Sequence, residues 1–193
     1  MASPFLPAPD GPFDPQPVLR GDLLHLRPLR PEDLEPLMAV AADPLIWAQH
    51  PAKERGTREG FTRFFAESLA TGGALVATAA DDGRMLGSSR YFEWDAKARS
   101  VEIGWTFLAR ECWGGVFNRE LKTLMLRHAF RWAEQVHFVV ADENLRSQRA
   151  MEKIGGVRTG RREGGGRPPS VVFTLTRQDF ATHPAFAVTP VTP

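Results

Sequence analysis

Two periodicities of hydrophobic and polar residues run along this chain and predict its elements. Residues 23–29, LLHLRPL, alternate apolar with polar side chains, which is typical of a half-buried strand. Apolar positions within 34–41 then recur at helical spacing. Because Pro31 and two acids precede them, they predict a helix, which Asp43-Pro44 ends.

A second amphipathic pattern starts at Thr57, has phenylalanines on its apolar side, and ends at a Gly-Gly pair. It predicts another helix. The residues that follow predict an antiparallel meander of three strands over 74–80, 85–94 and 100–109, with the turns DDGR and DAKA between them.

The remaining patterns predict a crossover and a hairpin. A helix is expected over about 117–134, a short buried strand over 137–141, and a further helix over about 145–154. Residues 157–162 and 170–176 then pair as two strands. The order predicts an α/β fold. A mixed, mostly antiparallel central sheet of about seven strands is flanked by about four helices, with one strand–helix–strand crossover.

The proline-rich ends set the domain boundaries. A chain of 193 residues is expected to form one domain. Residues 1–18 are too rich in proline for a helix or a central strand, so they predict an extended arm. Residues 183–193 are a similar tail, which leaves 19–182 as the folded domain.

Composition and charge exclude several classes of protein. The net charge of +1 gives no electrostatic reason to expect a nucleic-acid or membrane partner. No apolar run has the roughly 18 residues of a membrane helix, and the N-terminus does not resemble a signal peptide. The single cysteine, Cys112, permits no internal disulfide. We therefore expect a cytoplasmic protein.

A pair of glycines, Gly114-Gly115, stands between a predicted strand and a predicted helix. The first N–H groups of a helix have no internal partner, and glycine lets a ligand approach them closely. The pattern therefore predicts a phosphate or pyrophosphate site, with a tight strand-to-helix turn as the alternative. The P-loop and dinucleotide fingerprints are both absent.

Four short motifs stand out together: Glu102-Ile103-Gly104-Trp105, Trp113-Gly114-Gly115, Asn144-Leu145-Arg146-Ser147 and Glu152-Lys153-Ile154-Gly155. In this combination they resemble a known family, the GCN5-related N-acetyltransferases (GNAT). The resemblance covers about residues 22–180 and is strongest to the ribosomal-protein-alanine acetyltransferase branch, the RimJ/RimL-like enzymes. One departure is Val116, which stands where the family has a second turn glycine.

The resemblance implies a GNAT fold whose sheet is splayed between its fourth and fifth strands, and acetyl-CoA as the cosubstrate. The pantetheine arm would bond to the fourth strand, and the pyrophosphate would lie on the amides of the following turn. Arg119 or Lys122 would meet a phosphate, and the amide of Asn144 would bond the arm. The implied cofactor-binding residues are Thr106, Phe107, Leu108, Ala109, Glu111, Cys112, Trp113, Gly114, Gly115, Val116, Arg119, Asn144 and Ser147.

Two residues are candidates for the chemistry, which is direct attack of an amine on the thioester. Glu102 is the candidate base, acting through water; a solvated strand residue or an ion pair of the fold is the alternative. Ser147 matches the position assigned to thiolate protonation in RimL-like enzymes. A serine is a poor acid, so orienting the sulfur is equally expected, and capping of a helix N-terminus is the alternative.

Three aromatic residues are candidates for the acceptor site. Trp47 lies, with His50, in the segment between the first two helices, which borders the acceptor cleft in the fold that the resemblance implies; a packed loop aromatic is the alternative for Trp47. Tyr91 and Trp105 lie on strands, and a packed core aromatic is the alternative for Tyr91. The five histidines show no ligand spacing, so no metal is predicted.

The sequence thus predicts an acetyl-CoA-dependent N-acetyltransferase that acts on a primary amine. The branch suggests a protein N-terminal α-amino group. Two alternatives stay open: a small-molecule amine acetyltransferase for amino acids, polyamines or antibiotics, and a non-catalytic acyl-CoA-binding sensor. A small cationic acceptor would need carboxylates, which Glu93, Asp95 and Glu102 could supply. A homodimer is a further arrangement that the sequence leaves open.

Overall fold

One eight-stranded sheet runs through the protein in a computed structural model that describes residues 11–164 and 168–186. The strand order is β1-β2-β3-β4-β5-β6-β8-β7. The strands are β1 (Leu19–Arg20), β2 (Leu24–Pro28), β3 (Ala74–Ala79), β4 (Met85–Asp95), β5 (Ser100–Leu108), β6 (Gln135–Ala141), β7 (Val157–Arg162) and β8 (Ser170–Thr176). The α-helices are α1 (Leu34–Ala41), α2 (Pro44–Trp47), α3 (Arg58–Ala70), α4 (Val116–Ala129), α5 (Leu145–Lys153) and α6 (Arg177–Thr182).

The mixed α/β sheet, its seven predicted strands and its four predicted helices are confirmed. The additional strand, β1, has only two residues, too few for a periodic pattern. The additional helices α2 and α6 are also short, and each begins at a capping side chain. Asp43 accepts a hydrogen bond from the N–H of Leu45 (3.0 Å), so the Asp-Pro pair that ends α1 also starts α2.

The sheet divides in its middle, at the boundary between β5 and β6. These strands are parallel and pair only from Ser100–Glu102 to Gln135–His137. Beyond Glu102 they separate, so the edge of β5 from Ile103 to Leu108 faces a gap. On its other side β5 pairs with β4 through a register shift, near which Trp105 adopts a positive φ of 51°.

Two hydrophobic clusters cover the two faces of the sheet. Because side chains alternate along a strand, the neighbours Leu75 and Val76 on β3 belong to different clusters. The first cluster joins the sheet to the apolar stripe of α4, and the second joins it to α1, α2 and α3. Residues of both clusters line the cleft that is described below.

Part of the predicted arm packs on the body of the protein. Phe13 is buried against Trp94, with ring centroids 4.9 Å apart. Nε2 of the buried His128 lies 2.7 Å from the carbonyl oxygen of Asp14, and the indole N–H of Trp132 donates to Gly11 (3.2 Å). Residues 1–10 of the arm and 187–193 of the tail lie outside the described residues. Within the described ranges, no helix is long and apolar enough to cross a membrane.

Candidate active site

A cleft of about 950 Å³ opens where β5 and β6 separate. The edges of the two strands form its floor, and α2, α4 and α5 with their adjoining turns form its walls. It reaches from Ile103 and Phe138, next to the last paired residues, to the glycine turn at the start of α4. Its cationic lining residues are Arg55, Arg119, Lys122, Arg146, Arg149 and Lys153, and its acidic lining residue is Glu143.

The glycine turn gives this cleft an exposed helix N-terminus. Gly114 adopts φ +66°, which glycine tolerates, and no atom lies within 4 Å of the position of an added Cβ. Gly115 is the N-cap of the 14-residue α4 and provides no side-chain cap. The first amides of α4 can therefore bind an anion. Val116, 45% exposed, is not among the cleft-lining residues.

The structure brings most of the predicted cofactor-binding residues together in the cleft and leaves four outside. Ala109 and Val116 flank the turn without lining the cleft. Glu111 forms a surface ion pair with Arg84 (3.1 Å), and Cys112 is 1% exposed behind the turn, where burial raises the pKa of its thiol. The predicted residues that line the cleft are Thr106, Phe107, Leu108, Trp113, Gly114, Gly115, Arg119, Asn144 and Ser147.

Asn144 and Ser147 lie at the N-terminus of α5, in the wall of the cleft. Oδ1 of the buried Asn144 accepts a hydrogen bond from the N–H of Ser147 (3.2 Å). The capping side chain is therefore Asn144, and the alternative interpretation of Ser147 as the cap is wrong. This hydrogen bond fixes the amide of Asn144, whose Nδ2 has no hydrogen-bond partner in the described part of the chain.

Lys122 lies on the floor of the cleft instead of beside a phosphate site. Its Nζ donates to Oγ1 of Thr106 (3.0 Å) and stands 5.1 Å from the ring centroid of Phe138. The residue is 3% exposed, and desolvation lowers its pKa from 10.5 to about 7. Sequence reasoning placed Lys122 near the helix start but gave no sign that its ammonium group is buried.

Glu102, the candidate base, lies at the closed end of the cleft but faces a neighbouring hollow. Its Oε2 pairs with Nη1 of Arg162 (2.9 Å), and its side chain is 4% exposed. Glu93 and Asp95 line the same hollow, so these carboxylates do not line the cleft. The ion pair is the alternative that the sequence left open. Oε1 of Glu102 nevertheless lies close to the floor of the cleft, because a Cβ atom added to Gly104 would be 3.4 Å from it.

Tyr91 does not belong to the cleft. It is 2% exposed, its hydroxyl donates to the carbonyl of Met125 (2.7 Å), and its ring packs against Phe13. The prediction that Tyr91 lines the acceptor site is therefore wrong. Tyr91 is a packed strand aromatic, which was the alternative. Burial raises the pKa of its phenol well above the usual value, which keeps the hydroxyl protonated.

Trp47 and Trp105 both line the cleft on the α3 side of β5. The indole N–H of Trp47 donates to Ala41 (2.8 Å), and its ring lies 5.4 Å from that of Phe107. The guanidinium of Arg90 stacks on Trp105 at 4.5 Å. These aromatic rings form a fixed wall.

Three further polar residues complete this wall: Gln49, Arg55 and Arg146. Arg146 bridges the cleft, because its side chain donates to the carbonyl of Ile46 (2.9 Å) and its guanidinium stacks 4.0 Å over Trp113. Its backbone N–H donates to Gln49 (3.2 Å). Nothing in the local sequence distinguishes Gln49 and Arg55, and the motif that contains Arg146 assigned no role to that residue, because long-range contacts bring the three side chains together. Within the described ranges, no group of three or more His, Cys, Asp or Glu side chains could hold a metal.

Comparisons with known proteins agree with this architecture. The family described as "Acetyltransferase (GNAT) domain" matches residues 24–157. No curated protein matches the sequence significantly. A protein from T. thermophilus assigned to the acetyltransferases has a similar structure, with 27% identity, 84% of this chain and 90% of that chain covered, and a TM-score of 0.69.

Two other solved structures share the fold at lower identity. A GCN5-related N-acetyltransferase from Brucella melitensis is 16% identical, with 93% of this chain and 86% of that chain covered and a TM-score of 0.75. RimJ from Mycobacterium smegmatis, in complex with CoA-disulfide, is 19% identical, with 81% of this chain and 83% of that chain covered and a TM-score of 0.60.

Proposed function

We propose that this chain, which belongs to the GNAT acetyltransferase family, transfers an acetyl group from acetyl-CoA to a primary amine. One observation carries the proposal. The separation of β5 from β6 opens a cleft that ends at the uncapped, glycine-led N-terminus of α4. The pantetheine arm of CoA needs the open strand edge, and its pyrophosphate needs the helix N-terminus next to that edge.

The residues of the cleft suit acetyl-CoA along its length. The free edge of β5 from Ile103 to Leu108 offers backbone donors and acceptors to an extended pantetheine arm. The amides at Gly114 and Gly115 suit the pyrophosphate, and Arg119 adds a positive charge one turn further on. Nδ2 of Asn144 can donate a hydrogen bond to the pantetheine arm. On the α4 and α5 side of the cleft the cationic lining residues Arg119, Arg149 and Lys153 outnumber the acidic Glu143, which suits a polyanionic cosubstrate.

The chemistry assigned to the cleft is direct attack of a neutral amine on the thioester carbon. A backbone N–H near Trp105, where the strand bulges, would stabilise the developing oxyanion. Glu102 would take the proton of the amine through water, and Ser147 would orient or protonate the departing thiolate. The ammonium of Lys122, buried under the same floor, favours a negative charge on that sulfur.

For the acceptor, we propose the α-amino group of a protein N-terminus. The motifs that resemble the RimJ/RimL-like branch support this acceptor. A small-molecule amine is the second candidate, since a spermidine N-acetyltransferase chimera also shares the fold at 19% identity. An acyl-CoA sensor without turnover is the third candidate.

The experiment is a rate assay of free-thiol release from acetyl-CoA with N-terminal peptides, amino acids and polyamines as acceptors. We expect release that depends on both the cosubstrate and one class of amine, with acetylated product detected by mass spectrometry. Binding of acetyl-CoA without turnover of any amine would support the sensor. Absence of binding would contradict the proposal as a whole.

A further inference from the structure

Two hydrogen-bond donors converge on the α3 side of the cleft. Nη1 of Arg55 lies 3.5 Å from Nε2 of His50, and both residues line the cleft. Nδ1 of His50 lies 3.0 Å from the backbone N of Ala52, whose N–H donates to it. Because Nδ1 accepts this bond, the neutral ring carries its proton on Nε2.

The contact between Arg55 and His50 is therefore one donor facing another. A guanidinium N–H cannot bond to a protonated Nε2, so the two groups do not satisfy each other. Burial, followed by the charges of Arg55 and Arg146, lowers the pKa of His50 to about 4, which keeps the ring neutral near pH 7. A single oxygen beside this pair, within hydrogen-bond distance of both nitrogens, would accept a hydrogen bond from each.

The guanidinium of Arg55 also lacks a carboxylate partner. It stacks over Phe64 at 4.3 Å from the ring centroid, and burial lowers its pKa. Glu54 and Glu67 affect the pKa of Arg55 only by Coulombic attraction across a distance. No ion pair joins Arg55 to a carboxylate in the described part of the chain. A half-buried arginine without an ion pair is suited to an anionic ligand.

This pair lies on a different face of β5 from the residues suited to the cosubstrate. Arg55 contacts Phe64 and Trp47, which belong to the cluster of the α3 face. Lys122 and Arg119 approach the cleft from α4, and Lys122 contacts Thr106 on the opposite face of the strand. The Arg55–His50 pair therefore suits the acceptor and not the phosphates.

We propose that Arg55 and His50 form an anion subsite that binds a carboxylate of the acceptor, so that the acceptor is an amine bearing a nearby carboxylate. The inference rests on the proposed function and narrows its acceptor. The carboxylate belongs to a free amino acid or to an acidic side chain near a peptide N-terminus. Polyamines are excluded, because a second ammonium beside Arg55 would be repelled, and among the described residues that line the cleft Glu143 alone could balance it.

The test compares matched acceptors on matched enzymes. The acceptors are a peptide with an acidic residue near its N-terminus, the same peptide with the amide isostere, an amino acid and its amide, and spermidine. The enzymes are the wild type, Arg55→Gln, His50→Gln and the control Arg63→Gln, which alters an exposed arginine of α3 outside the cleft. Calorimetry with acetyl-CoA accompanies each enzyme.

We expect the wild type to prefer a carboxylate acceptor over its amide by about 10- to 100-fold in kcat/KM, as a charged hydrogen bond warrants. Arg55→Gln should abolish that preference, mainly through KM, and leave acetyl-CoA affinity unchanged, whereas Arg63→Gln should behave as the wild type. Comparison of the peptide acceptors with the amino-acid acceptors identifies the source of the carboxylate. Equal rates with amide isosteres, or preferred turnover of spermidine, would overturn the subsite.

A binding measurement separates failure of the subsite from failure of the proposed function. N-acetylglycine and the N-acetylated acidic peptide, products of the proposed reaction on the two kinds of acceptor, are titrated in turn while the ring signals of His50 are followed by NMR. A carboxylate beside Nε2 should raise the pKa of His50 from about 4, and Arg55→Gln should abolish the response. If His50 responds to neither product, the subsite is wrong even where acetyl-CoA binds and is turned over.

Discussion

At the scale of single residues, the least expected group is the buried ammonium of Lys122. A lysine that is 3% exposed, with a hydroxyl and an aromatic ring as its neighbours, is costly to keep charged. Its pKa of about 7 in the folded protein lies below the ordinary value of 10.5, so the unfolded chain binds this proton more tightly. The folded state is therefore destabilised at every pH at which the lysine of the unfolded chain is charged.

This yields a prediction for Lys122→Met. The penalty is fully present below about pH 7 and disappears as the pH rises toward 10.5, so wild-type stability should increase across that window. The variant lacks the penalty and should exceed the wild type in free energy of unfolding by a few kcal/mol at pH 6, with a gain that shrinks by pH 9. Urea denaturation at several pH values measures this. A variant less stable than the wild type by the same amount at every pH would show that the ammonium is well accommodated.

A matched pair of carboxylates tests the base. Glu102 and Glu93 both pair with Arg162, at 2.9 and 3.3 Å, but the side chain of Glu93 is 51% exposed, whereas that of Glu102 is 4% exposed and reaches to 3.4 Å from the position of a Cβ on Gly104. If Glu102 is the base, Glu102→Gln should lower kcat by about 100-fold or more and remove the ascending limb of the pH–rate profile. Glu93→Gln should leave both nearly unchanged. Equal effects of the two substitutions would assign Glu102 to the ion pair alone.

At the scale of elements, α4 connects the candidate site to the start of the domain. The carboxylate of Glu120, in the second turn of α4, accepts hydrogen bonds from the N–H groups of Asp22, Leu23 and Leu24 at 2.8 to 2.9 Å. Gly21 permits this approach, since a Cβ there would lie 2.6 Å from the carboxylate carbon. The turn before β2 is thus held against the helix whose N-terminus forms the glycine turn.

Glu120→Gln should therefore destabilise the protein more than an ordinary surface change. The amide keeps one oxygen acceptor and turns an NH₂ group toward backbone donors, so a loss of about 2 kcal/mol or more in the free energy of unfolding is expected. The control Glu59→Gln alters an exposed glutamate of α3 and should cost only a few tenths of a kcal/mol. Chemical denaturation of both variants compares them; equal losses would mean that the three hydrogen bonds add nothing.

The sequence predicted most elements because each long element carries its own periodicity. The amphipathic stripe of α4 and the meander of β3, β4 and β5 are local patterns. The predicted end of α4 at residue 134 was too late, since the helix stops at Ala129 although apolar residues continue. The short elements α2 and α6 depend on caps at Asp43 and Thr176, and four to six residues are too few to show a period.

At the scale of the whole molecule, the candidate site exists only because β5 and β6 separate after three paired residues. The family motifs predicted which segments meet there, but not which face each side chain takes. Tyr91 and Glu102 were assigned to the site from their strands alone, yet one is in the core and the other faces the neighbouring hollow. Arg55 carried no local signal, and the motif that contains Arg146 assigned no role to that residue, because distant segments bring the two side chains to the cleft.

The most direct test of the assignment of the cleft to acetyl-CoA is a calorimetric titration of the protein with acetyl-CoA, with NADH as the control. If the cleft is the acetyl-CoA site, one equivalent binds, NADH does not, and acetyl-CoA at 100 times its Kd raises the free energy of unfolding by about 2.7 kcal/mol. No heat and no stabilisation with acetyl-CoA, or equal binding of NADH, would contradict the assignment of the cleft, and with it the proposed transferase activity.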